Sequence, residues 1–145
     1  MDRKEKAVNL FKQQFNCSQS VFTAYRQADT MDERTALKLA TVFGAGGSCT
    51  GSSLCGAVTG ALMAISMKHG RGDLKSLDEK AVTYEMGKKF MNDFAARMGS
   101  CDCEKILGIN VGKPGNMQKA QEMNLFVTKC LVAVRTSADI LETMI

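Results

Sequence analysis

Six cysteines, Cys17, Cys49, Cys55, Cys101, Cys103 and Cys130, are the residues of this 145-residue chain whose type and number could do chemistry. A single thiol of pKa ~8.5 is mostly protonated at neutral pH. A helix N-terminus favours its thiolate by only ~0.3–1 kcal/mol, which is less than one pKa unit. Several thiolates brought together repel one another, so a group of them stays ionised only where a metal or an iron–sulfur cluster supplies positive charge. Without such a group they remain thiols or form disulfides. The chemistry open to this set is therefore metal ligation or thiol redox, and the plain alternative is cysteine buried as ordinary core.

The spacings narrow this only in part. No Cys-x-x-Cys occurs, so thioredoxin-type and zinc-ribbon patterns lose their main signal, and no Cys-x-x-Cys-His exists to attach haem covalently. Cys101 and Cys103 would point to nearly opposite sides of a helix, so Cys101 must lie in the loop before any turn that carries Cys103. Cys49 and Cys55, on a loop and a helix start, could come within disulfide reach. Cys17, Cys55 and Cys103 fall at predicted helix starts, and Cys130 falls near one.

The elements that position them read as helices. Apolar residues make up 45% of the chain, with ten methionines, no tryptophan and one proline, which favours an all-α core over a β-sandwich. The length suits one domain, 1–145, folded as a bundle of five to seven helices. The organising stretch is Phe43 to Lys68. A loop with Gly44, Gly46, Gly47 and Gly51 carries Cys49, and Ser52 or Ser53 caps a helix running from Leu54 to about Gly70. Gly56, Gly60 and Ala64 lie four apart on that helix and make a smooth strip for a close neighbour. Before it, Asp2–Phe15 forms an amphipathic helix, Asn16 caps a second reaching about Gln27, and Thr30 with Glu33 boxes a third packed through Ala36, Leu37, Ala40 and Phe43. After it, Ser76 with Glu79 opens a five-turn helix ending at Gly99, with Val82, Met86, Phe90 and Phe94 buried. Cys103–Leu107 forms a short turn capped by Ser100 or Asp102. Asn116 caps the last helical region, whose seam is Val127, Leu131, Val134, Ala138, Leu141 and Ile145.

Cys17 in NCSQSVFTAY, CGAVTGALMAI from Cys55, CEKILG from Cys103 and CLVAV from Cys130 fall in an order and spacing that resemble the C_GCAxxG_C_C family of redox proteins. The resemblance covers nearly the whole chain, although Leu54 stands where the pattern has glycine and Gly56 follows Cys55 where it has alanine. The family is similar to the split-Soret cytochromes, whose haem motif this chain lacks. The resemblance implies a helical fold, a homodimer, and an origin mainly among anaerobic prokaryotes. It also implies an electron-transfer or oxidoreductase site at Cys17, Cys55, Cys103 and Cys130, beside Gly56 and Gly60, holding an iron–sulfur cluster or another thiophilic metal. Cys49 and Cys101 are extra to the pattern and are secondary candidates, as ligands or as a regulatory disulfide. The metal-free alternative is a thiol–disulfide enzyme or sensor using Cys49/Cys55 or Cys101/Cys103. A non-catalytic interaction module with inert cysteines is the third reading.

Other features carry less. His69, the only histidine, follows Lys68 at a helix end, where it complements the helix dipole; catalysis would need a partner that no neighbouring motif supplies. The GAGGS loop lacks the lysine and preceding strand of a phosphate loop, leaving an anion nest at most. The formal charge of +4 is dispersed, with Lys88-Lys89 the one basic doublet after residue 4, so nucleic-acid binding is not expected. No apolar run is long enough to span a bilayer and MDRKEKAV lacks a signal-peptide core, so a soluble, cytoplasmic chain without membrane contact is expected. The electron donor or acceptor is not encoded in any motif.

Overall fold

Short polar side chains open four of the helices, because the first turn leaves amide N–H groups without partners. In the computed structural model, which describes residues 1–145, Asp2 accepts from the Glu5 amide at 2.7 Å and opens α1 (Arg3–Lys12). Asn16 opens α2 (Cys17–Tyr25) reciprocally: its side chain accepts from the Gln19 amide at 2.9 Å, and the Gln19 side chain accepts from the Asn16 amide at 3.0 Å. α1 stops before Phe15, and α2 ends at Tyr25, where Arg26 turns extended. Asp32, not the expected Thr30–Glu33 box, opens α3 (Glu33–Leu39) by accepting from the Thr35 amide. Thr30 instead donates to the Gln27 carbonyl in the preceding turn. Phe43, expected on the packed face of that helix, lies in a 3-10 segment (Thr41–Phe43) and stays 40% exposed.

The central helix α4 (Gly56–His69) starts two residues later than Leu54, because Leu54 is held in an extended bridge to Asp102. Neither Ser52 nor Ser53 caps it; Cys55 occupies that position. α4 has no marked polar face over most of its length, as suits a helix packed against several others. The glycine strip has its predicted use, and the neighbour is α2 of the same chain. A Cβ on Gly60 would lie 2.7 Å from the Ser18 carbonyl oxygen, and one on Gly56 2.9 Å from the Ser18 nitrogen. α5 (Leu77–Met98) ends at Gly99, whose φ of 86° suits glycine. Phe90 and Phe94 are fully buried and stack with ring centres 5.9 Å apart. Val82, expected beside them, is 55% exposed: the Thr83 hydroxyl donates to the carbonyl of His69, the last residue of α4, so the turns before Thr83 overhang its end. Ser76 makes no capping bond; the Asp73 carboxylate accepts from the Lys75 and Ser76 amides instead.

Asp102 caps α6 (Cys103–Leu107), accepting from Lys105. The last helical region divides into α7 (Asn116–Glu122) and α8 (Leu131–Met144), with Asn124 left-handed at φ 59° and a π-helical turn over Phe126–Cys130 between them. That division makes eight α-helices, and the fold is all-α. Asn116 is the first residue of α7 and not its cap; its side chain donates to the Asn110 carbonyl. The seam runs from Leu131 through Val134, Ala138 and Leu141, but Val127 is 55% exposed, because it lies within the wider π turn and so falls out of the α8 register. No helix is long and apolar enough to cross a membrane. The main core joins α1, α2, α4, α5 and α8, and a smaller one lies under α6 and α7.

Candidate functional site

The boundary between the two cores is where four of the cysteines lie. Cys17 and Cys55 belong to the main core, Cys103 to the smaller one, and Cys130 packs against both. Each is fixed by a different local device. Cys17 is the first residue of α2 behind the Asn16–Gln19 box. Cys55 immediately precedes α4, and Cys103 opens α6. The Leu54–Asp102 bridge ties those two helix starts together: the Cys55 amide donates to the Cys101 carbonyl at 2.8 Å, and the Cys103 amide donates to the Ser53 carbonyl at 2.9 Å. Cys130 ends the π turn. All four line one cavity of about 430 Å³, whose walls include Phe11, Phe15, Ile106, Leu107 and Phe126. No charged side chain lines it.

With no cation beside them, the thiols act on one another. The Cys17 thiol meets Cys130 and Cys55, and these contacts, with burial added, hold its pKa well above the ordinary value of 9.0. Cys55 moves the other way. The neighbouring Cys17 thiol lowers it most, and the amides of Ala57 and Val58 in the first turn of α4 add to that, together outweighing its burial. Cys55 is thus the more acidic thiol of the pair and Cys17 the less acidic. Burial pushes the Cys103 thiol up to about 12, with Cys55 and Cys130 contributing.

The Cys103 shift gives a testable pH dependence. A folded pKa above the unfolded one contributes stability that is complete below pH 9.0 and is lost as pH rises toward about 12. A difference of that size corresponds to about 4 kcal/mol across the window. Urea denaturation of the parent should therefore weaken steeply between pH 9 and 11, and Cys103→Ala should flatten part of that slope. An unchanged slope would show that Cys103 does not carry it.

The remaining candidates lie elsewhere. Cys49 is exposed on the glycine loop at φ 58° and does not line the cavity. Cys101 precedes α6, as its spacing requires, but its thiol donates to the Met91 carbonyl of α5 at 3.3 Å while Cys103 faces the cavity. Neither Cys49 with Cys55 nor Cys101 with Cys103 is a pair that shares this cavity. Gly56 lines it and Gly60 does not; Gly60 serves the α2 contact. His69 is not among the lining residues, and its buried Nε2 has no hydrogen-bond partner. In the glycine loop the amides of Gly47, Ser48, Cys49 and Gly51 are taken by carbonyls of the loop and of Val42, which leaves an anion nest few donors.

Sequence reasoning missed the wall residues Phe11, Phe15 and Phe126. Phe11 and Phe15 fall in and just after α1, in a stretch whose amphipathic pattern alone marks no site, and Phe126 lies four residues before Cys130, a spacing that puts both on one side of the π turn. No group of three or more His, Cys, Asp or Glu side chains converges tightly enough to hold a metal ion. A family model described as "Putative redox-active protein (C_GCAxxG_C_C)" matches residues 15–144, which is everything after α1 and its turn except the last residue. Comparisons with curated proteins and with solved structures return no match.

Proposed function

The chain belongs to the C_GCAxxG_C_C family, and from that premise we propose that it is an electron-transfer protein whose working centre is Cys17, Cys55, Cys103 and Cys130. One observation carries the reading: four thiols from four separate elements line a single cavity that no charged side chain enters. An all-sulfur donor set selects soft metals and iron–sulfur clusters over oxygen-loving cations. Two sulfurs bound to one ion by bonds of about 2.3 Å lie no more than about 4.6 Å apart. The four thiols do not form a preassembled metal site. A cluster would have to draw them together as it binds, spreading its ligands over several irons. Such a group supplies one-electron chemistry when bound. The chain's own part is to present the four sulfurs, to donate the Ala57 and Val58 amides toward Cys55, and to keep water away with Phe11, Phe15 and Phe126. Protein purified without oxygen should contain iron and acid-labile sulfide and absorb visible light. Colourless protein with six titratable thiols and no iron would remove the cluster.

The contact between Cys17 and Cys55 favours a second, metal-free reading. The Cys55 thiolate would attack an external disulfide, releasing one thiolate and forming a mixed disulfide. Cys17, after losing its proton, would attack the Cys55 sulfur and release the second thiolate. The chain is then oxidised by two electrons and the external disulfide reduced by two. Thiol counts before and after reduction should differ by two, at Cys17 and Cys55.

A further inference from the structure

A second cavity, about 760 Å³ in volume, lies between the C-terminal half of α4 and the first turns of α5, and no cysteine lines it. Its rim carries Arg71, Lys80 and Lys88, and no aspartate or glutamate lines it. The nearest acid in the linker, Asp73, is turned onto the Lys75 and Ser76 amides. Arg71 is planted by its own linker: its guanidinium donates to the Asp73 carbonyl at 2.6 Å and the Leu74 carbonyl at 2.9 Å. Lys80 has no carboxylate partner, and its ammonium lies 5.7 Å from the centre of the Tyr84 ring. Lys88 is partly neutralised by Glu85 at 3.1 Å, so an excess of positive charge remains. The floor is apolar, made by Leu62, Ile65, Met67 and Met91, and Tyr84 is 62% exposed above it. Gly87 lines the α5 wall, where a Cβ would make only ordinary contact with Leu62 at 3.4 Å.

We propose that this cleft binds a phosphorylated small molecule with a flat aromatic body, of the nucleotide class. Cations that carboxylates leave free are matched by a multivalent anion, and phosphate oxygens accept from guanidinium and ammonium together. The apolar floor and the exposed tyrosine suit a ring, which a bare inorganic anion would leave uncovered. The volume lies in the range of small-molecule sites. The site is separate from the cysteine cavity, so it stands or falls independently of the redox reading.

Free nucleotides and flavin mononucleotide share this chemistry, and calorimetric titration of the full chain separates them. ADP and flavin mononucleotide are compared with adenosine, riboflavin and inorganic phosphate. At least one phosphorylated ring compound should saturate, about tenfold or more tighter than its uncharged counterpart and than inorganic phosphate. Arg71→Gln with Lys80→Glu should weaken it by a further factor of about ten, while helical content and the thiol titration stay as in the parent. The proposal is overturned if neither ADP nor flavin mononucleotide saturates at millimolar concentration. It is equally overturned if the uncharged compounds bind as well, or if the double variant binds as tightly as the parent.

Discussion

Replacing Cys17 with alanine should end the redox cycle of the protein and raise the pH at which Cys55 ionises. The largest influence lowering the Cys55 pKa is the thiol of Cys17; the Ala57 and Val58 amides come after it, and burial works against both. An alanine methyl donates nothing, so burial should regain ground and the thiolate absorbance of Cys55 should appear at higher pH. The linked stability has a definite sign. A depressed folded pKa contributes stability that is present above the unfolded value of 9.0 and is lost as pH falls through the folded value. Acidification should therefore cost the parent a contribution from Cys55 that the Cys17→Ala chain no longer has to lose. Cys17→Ser keeps a hydroxyl donor and should shift the titration less. Cys49→Ser and Cys101→Ser, whose side chains lie outside the cavity, should leave both the titration and the redox behaviour close to the parent. A Cys17→Ala chain that cycles normally would show that the cavity is not the working centre.

Gly60→Ala should destabilise the protein by about 1–3 kcal/mol, although alanine is the better helix former by ~1 kcal/mol. The decision lies with the neighbour. The added methyl would sit 2.7 Å from the Ser18 carbonyl oxygen and 3.1 Å from the Ser18 Cα, both backbone atoms that cannot swing aside. Gly56→Ala meets the Ser18 nitrogen and the Cys17 Cβ at 2.9 and 3.0 Å, so it should also part Cys17 from Cys55 and disturb the thiol titration. Gly87→Ala is the contrast on α5. Its methyl makes ordinary contact with one flexible leucine, and the gain in helix propensity should dominate, stabilising by up to ~1 kcal/mol. Urea midpoints of the three variants check the ordering. A Gly60→Ala chain as stable as the Gly87→Ala chain would mean that α2 does not lie against the glycine strip.

Local signals were legible where one residue decides the outcome. The Asn16 cap, the Gly70 and Gly99 stops and the Cys103–Leu107 turn are each set by a single side chain, by the room a glycine leaves at Gly70 or by the left-handed φ of Gly99, and the structure has all of them. The α3 start was misread because Asp32 and Thr30 are both competent caps two residues apart, and only the turn held by Gln27 and Thr30 chooses between them. The α4 start was misread because Leu54 is committed to a bridge with a residue 48 positions away, and no local pattern encodes that pairing. The π turn has the same character: an apolar seam at four and three runs through Val127 in the sequence, and nothing local marks the extra residue that puts Val127 in solvent. For the site, residue type nominated all six cysteines, and the family resemblance singled out Cys17, Cys55, Cys103 and Cys130. That these four line one cavity follows from the Leu54–Asp102 bridge and the depth at which α2 sits on the glycines, and both are tertiary facts.

The most direct measurement is a potentiometric titration of anaerobically purified protein, followed by absorption and repeated on the cysteine variants. The reading of the four cysteines as one centre predicts reversible electron uptake that disappears in Cys17→Ala and in Cys55→Ala and persists in Cys49→Ser. Electron uptake that is absent from the parent, or that survives the loss of Cys17 and Cys55 unchanged, would contradict it.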